Sequence, residues 1–123
     1  MVLASLSLNL YPRYIQKMEM TRFVRQFEED LYYAQAYAIS HEITISVYLN
    51  DNNYTISSNL KGAILQRANP KNTTFEKGTT GLRIIFNNAG SPLTSGVIYI
   101  QSEQEKYKVT IYIGKGRIKI EKV

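Results

Sequence analysis

The spacing of apolar residues changes once along the chain, from a period near 3.6 to a period of 2. From Pro12 onward the series Ile15, Met20, Val24, Phe27, Leu31, Ala34 and Ala38 recurs mostly at intervals of three and four. That spacing draws one stripe along a helix. Arg22, Arg25, Gln26 and Glu29 fall on the other side. Arg25 and Glu29 are one turn apart, a pairing that contributes roughly 0.2–0.5 kcal/mol. Proline lacks the amide hydrogen needed inside a helix but fits its first turn, so Pro12 marks a start or a kink. The helix is predicted to end near Ser40 and His41.

Beyond that point the pattern alternates. Ile43, Ile45, Val47 and Leu49 interleave with Thr44, Ser46 and Tyr48, the signature of a strand with one buried face. Asn50-Asp51-Asn52-Asn53 supplies a turn and Tyr54 to Ser57 returns, predicting a hairpin. Further strands are predicted at Ala63 to Arg67, Thr74 to Glu76, Leu82 to Phe86 and Val97 to Ile100. The last two, Tyr107 to Ile113 and Arg117 to Ile120, flank the turn Gly114-Lys115-Gly116. In them Tyr107, Val109, Ile111, Ile113, Ile118 and Ile120 are expected inward, and Lys108, Thr110, Tyr112, Arg117 and Lys119 outward. The predicted class is α+β: one long N-terminal helix packed on an antiparallel β-sheet body, with one or two sheets.

Ahead of the stripe stands Met1 to Leu10, an apolar stretch broken by Ser5, Ser7 and Asn9. It is about half of the roughly 20 residues that a bilayer crossing needs, and it lacks the basic front and small-residue cleavage site of a secretory signal. Two readings stand: an N-terminus whose leucines join the core, or a chain cut inside a longer hydrophobic helix.

At 123 residues the chain has the length of one domain, a helix over 1–41 and a β-rich head over 42–123. Its 44% hydrophobic and 20% charged residues are a globular balance, which excludes a disordered tail as the bulk of it. The net charge of +5 is unevenly held: residues 1–61 carry five basic and six acidic groups, residues 62–123 ten basic and four acidic. The excess therefore lies in the β half. Ten tyrosines and no tryptophan give an aromatic population that tolerates exposure.

Catalytic chemistry is hard to assemble from these residues. Without cysteine there is no disulfide, thiolate nucleophile or cysteine metal site. No phosphate-binding glycine loop, dinucleotide fingerprint or paired-histidine metal signature occurs. Gly114-Lys115-Gly116 precedes a strand and lacks the helix N-terminus of a phosphate cradle. The single histidine, His41, sits beside Glu42 at the predicted helix end. No enzyme activity, catalytic residue, metal or cofactor is expected.

One constellation remains. The C-terminal hairpin gathers Lys108, Tyr112, Lys115, Arg117 and Lys119 into a basic face with an aromatic among them. Cations spaced along a strand follow a phosphate backbone and give affinity without sequence choice. Lysines on a terminal edge strand equally serve to discourage edge-to-edge aggregation.

Three segments carry a family resemblance: Ile84-Ile85-Phe86-Asn87-Asn88-Ala89-Gly90, Gly96-Val97-Ile98-Tyr99-Ile100, and Gly116-Arg117-Ile118-Lys119-Ile120. With the order of a long helix followed only by strands, they resemble the H-type (GspH/FimT-like) minor pseudopilins of the type II secretion and type IV pilus superfamily. The abundance of Lys, Asn, Ile and Tyr is similar to the Gram-positive competence version, ComGD. The resemblance implies a subunit at or near the tip of a transformation pilus, held in the membrane by an N-terminal segment and working with other minor and major pseudopilins. It also implies capture of double-stranded DNA, because a C-terminal Gly-Arg-x-Arg motif is associated with DNA binding in some pilus members. Gly116-Arg117-Ile118-Lys119 matches it with lysine last, which keeps the charge but loses arginine's two-pronged phosphate contact. The family's processing signal, a glycine before a phenylalanine-rich helix with a glutamate, has no counterpart here.

The leading expectation is a filament subunit at the cell surface that assembles through its helix, with Leu3, Leu6, Leu10 and Tyr14 packing on neighbours. DNA contact through the hairpin is compatible with it. The alternatives are a secretion-type pseudopilin without DNA binding and an unrelated cytosolic β-rich protein.

Overall fold

The computed structural model describes residues 2–113 and 117–123, with side-chain surroundings from residue 15 onward. Helix α1 spans Val2–His41, about 60 Å at the usual rise. It passes through Pro12, so this residue does not start the helix. Having no N–H, Pro12 leaves the Leu8 carbonyl without its usual partner. The helix stops through a pair of reversed hydrogen bonds, Glu42 N–H to Ile39 O at 3.3 Å and Ile43 N–H to Ala38 O at 3.2 Å. Glu42 takes a left-handed backbone, φ 55°, to close them.

Eight strands follow: β1 (Ile45–Leu49), β2 (Asn53–Ser58), β3 (Gly62–Ala68), β4 (Thr74–Lys77), β5 (Arg83–Phe86), β6 (Gly96–Gln101), β7 (Lys106–Ile111) and β8 (Ile118–Lys122). They form two four-stranded sheets, ordered β3-β2-β1-β5 and β4-β6-β7-β8, antiparallel throughout. The predicted architecture is thus observed, with two sheets. Alternation explains the burial: Tyr54, Ile56 and Ser58 of β2 are buried while the residues between them are half-buried.

The helix stripe and the inner faces of both sheets share one core. Its centre is aromatic. Phe27 lies 5.1 Å from Tyr54 of the first sheet and 5.2 Å from Phe75 of the second, with Phe23 6.5 Å away on the helix. Met20, Val24, Phe27, Leu31, Ala34 and Ala38 are buried as predicted. Ile15 is only half-buried, whereas Phe23 and Asp30 are buried at the edge of the stripe. Arg25 and Glu29 do not pair; the ion pairs among the described residues join other groups.

The turn after β5 seats on the helix. Asn87 Oδ1 accepts the Ala89 and Ser91 N–H groups at 2.9 and 3.0 Å, and Gln35 Nε2 donates to Gly90 O at 2.8 Å. Gly90 has φ +80°, and a Cβ there would stand 2.6 Å from the Ile39 side chain. Only glycine allows this turn to lie against α1. Gly90 therefore has a packing role within the Phe86 to Gly90 segment.

Candidate nucleic-acid interface

The β7–β8 pairing sets the geometry of the basic hairpin. Lys108 lies opposite Glu121, Thr110 opposite Lys119 and Ile111 opposite Ile118. One step further, Tyr112 N–H donates to Arg117 O at 3.0 Å. Val109, Ile111 and Ile118 are buried in the core. Alternation then sends Lys108, Thr110, Tyr112, Arg117, Lys119 and Glu121 to the other face, so the structure brings together four of the five predicted residues. Lys115 lies outside the described residues. Tyr112 is 43% exposed, Arg117 and Lys119 are exposed and Lys108 is half-buried. Tyr112, Ile113, Arg117 and Lys119 line an open groove of about 470 Å³.

Two expectations are corrected here. Ile113 was expected inward, but β7 ends at Ile111 and the chain turns away, leaving Ile113 55% exposed. The face is also less basic than its cations suggest, because Glu121 stands among them. Lys119 Nζ lies 2.6 Å from Glu121 Oε1. That bond holds the Glu121 carboxyl below its ordinary range and the Lys119 ammonium above its own. Elsewhere on the second sheet Lys106 pairs with Glu76 at 3.5 Å and covers the Tyr99 ring at 4.4 Å, and Lys122 reaches Glu105 at 3.4 Å. Among the described residues Lys108 and Arg117 make no direct ion pair, though Lys108 lies across from Glu121 and feels its charge.

Leu3, Leu6, Leu10 and Tyr14, the predicted assembly residues, lie on a backbone that is helical throughout. Their side chains are outside the described residues. His41 closes the helix, its ring stacked on Tyr37 at 3.9 Å and its Nδ1 3.2 Å from the Tyr37 carbonyl. Among the described residues no three His, Asp or Glu side chains are grouped to hold a metal ion.

A polar cluster that sequence reasoning missed joins the helix to the first sheet. Asp30, 4% exposed, accepts a short hydrogen bond from the Tyr54 hydroxyl. It also accepts from Arg67 Nε at 2.5 Å and from Gln26 Nε2 at 2.9 Å. Burial, reinforced by the bond to Asp30, pushes the Tyr54 hydroxyl well above its ordinary value. The bond to Asp30 raises Arg67 likewise. The signal was present in outline: Asp30 adjoins Leu31 and lies three residues from Phe27, while Arg67 interrupts an otherwise uncharged strand. This cluster clasps α1 to β2 and β3 and faces no catalytic partner.

Comparison with known proteins places these features. The family described as Type II transport protein GspH matches residues 24–115, which includes the Phe86 to Gly90 and Gly96 to Ile100 segments and stops short of Arg117 and Lys119. No curated protein matches the chain by sequence. The fold is similar to that of the type IV minor pilin FimU of Pseudomonas aeruginosa, at 16% identity and TM-score 0.70 over 88% of this chain and 92% of that one. It is similar also to the minor pseudopilin EpsH of the Vibrio cholerae type 2 secretion system, at 16% identity and TM-score 0.61 over 80% and 92%. A long helix clasped to two antiparallel sheets, with a family match over most of its length, shows that the chain belongs to the GspH family of type II transport proteins.

Proposed function

We propose that this minor pseudopilin serves a competence pilus, in the manner of ComGD, and contacts double-stranded DNA without sequence choice through the β7–β8 hairpin. The observation that carries the reading is the solvent face of that hairpin. Lys108 and Arg117 stand there outside the direct ion pairs of the described residues, Lys108 across from Glu121 and Arg117 with no acid opposite it, beside the exposed Tyr112. A face turned away from α1 leaves the helix free to pack against other pseudopilins of the filament, with Leu3, Leu6, Leu10 and Tyr14 as its contacts. Among the described residues no helix is long and apolar enough to cross a membrane. Attachment to the membrane through a segment at the helix's N-terminal end is part of the proposal, as is display at the cell surface and the division into a helix over 1–41 and a head over 42–123.

A second reading, a secretion-type pseudopilin that ignores DNA, is favoured by the carboxylates beside Lys106, Lys119 and Lys122. Complementation in the native host separates the two. A strain lacking the gene is expected to lose transformation, the wild-type gene to restore it, and an Arg117→Ala, Lys119→Ala gene to restore filaments but less than about a tenth of the transformants. Full transformation by the double variant supports the second reading. Undiminished transformation in the deletion strain removes the competence role.

A further inference from the structure

The six outward positions of the β7–β8 hairpin include one acid. Glu121 occupies the solvent face of β8, directly across from Lys108, with its carboxylate 2.6 Å from Lys119 Nζ. The pair is exposed on both sides, 60% for the Lys119 side chain and 45% for Glu121. Glu105, in the connection just before β7, is different. Its side chain is 7% exposed and accepts the Tyr107 hydroxyl at 3.1 Å, so it stays in place whatever Lys122 does. Glu121 has Lys119 as its one ion-pair partner among the described residues, and an exposed pair of this kind is held by little energy.

We propose that Glu121 sets the affinity of the hairpin for nucleic-acid phosphate by competing with it for the Lys119 ammonium. The inference rests on the hairpin being a DNA interface. A phosphate oxygen approaching Lys119 meets an ammonium already hydrogen-bonded to a carboxylate, and must displace that carboxylate while being repelled by it. The displaced Glu121 swings into water, where it is fully hydrated. Lys119 therefore adds less than one full counterion-releasing contact, and the interface holds DNA weakly and releases it readily. Arg117, two residues away and without an acid beside it, carries the undiminished contact.

The test is a fluorescence titration of duplex DNA with the wild-type chain and Glu121→Gln, Glu103→Gln, Lys119→Ala, Glu121→Gln/Lys119→Ala and Arg117→Ala/Lys119→Ala variants. Glu103 is exposed on the turn between β6 and β7, at the far end of β7 from Arg117, so its amide variant controls for net charge alone. Glu121→Gln is expected to tighten binding roughly five-fold at low salt and to steepen the salt dependence by up to one contact, about 0.9 in slope. Glu103→Gln is expected to change affinity by less than two-fold, and the gain from Glu121→Gln to fall by more than half once Lys119 is alanine, the remainder coming from Lys108 across the hairpin. Equal gains from Glu103→Gln and Glu121→Gln overturn the inference, as does an undiminished gain in the Lys119→Ala background. If wild type binds, Arg117→Ala/Lys119→Ala loses binding and Glu121→Gln matches wild type, the inference fails while the DNA interface stands. Absence of binding by every chain at low salt rejects both.

Discussion

Asp30→Ala is expected to lower the unfolding free energy by about 3 kcal/mol, the lower end of what breaking a buried charge pair costs. The Tyr54 hydroxyl belongs to a side chain that is 0% exposed, so without Asp30 it keeps its desolvation and loses its acceptor, a cost of about 1–3 kcal/mol. Arg67 suffers less, because its side chain is 40% exposed and recovers water. Gln26 loses a further bond. Urea denaturation at neutral pH measures the sum. A loss below about 1 kcal/mol contradicts the clasp. A triple variant, Asp30→Leu, Tyr54→Phe and Arg67→Met, is expected to recover most of the loss, since it removes the carboxylate with its tyrosine and arginine partners and leaves only the half-buried Gln26 amide, which can turn to water.

The same cluster sets a pH limit. Folding holds Tyr54 far above its ordinary value of 10.0, chiefly through burial and then through Asp30. The unfolded chain ionises this tyrosine near its ordinary value while the folded chain resists. Its contribution is thus fully present below pH 10.0 and is lost as the pH rises beyond it. Tyr54→Phe is expected to make alkaline unfolding shallower.

Phe27→Ala is expected to cost about 4 kcal/mol, within the range for emptying a buried aromatic site. Phe27 is 0% exposed. It touches three other rings, edge-on to Tyr54, tilted against Phe75 and stacked with Phe23. Those rings come from the helix and from both sheets, so no single element can relax into the space. Calorimetry is expected to show a melting temperature lower by roughly 10–20 °C. Phe27→Leu, which keeps most of the volume, is expected to cost less than about 1.5 kcal/mol. An alanine variant that loses less than about 1 kcal/mol shows that the sheets do not depend on this ring.

The helix stripe and the strands were legible because periodicity reports burial directly. Met20 to Ala38 and the inward residues of β1, β2 and β7 needed no tertiary knowledge, whereas Ser46, expected on the outward face of β1, is buried as well. The grouping of strands into two sheets was not legible, since it depends on nonlocal pairings such as β1 with β5 and β4 with β6. Asp30 was hidden for the same reason. A carboxylate on a stripe is costly until Arg67 and Tyr54, more than twenty residues away in sequence, arrive to satisfy it. Ile113 misled because alternation was carried two residues past the true end of β7. Glu121 was passed over because a count of cations along the hairpin does not ask which group faces them. Gly90 shows the reverse: its segment was noticed for its resemblance, and only the contact with Ile39 explains the glycine.

The most direct test of the account is the salt dependence of duplex DNA binding, measured for the wild-type chain and for Arg117→Ala/Lys119→Ala between about 50 and about 200 mM salt. The account predicts binding that weakens steeply with salt and ignores base sequence. It predicts that the double variant binds more weakly, with a slope shallower by up to about 1.8. Equal affinity and slope for the two proteins, or no binding by wild type at the lower salt, contradicts it.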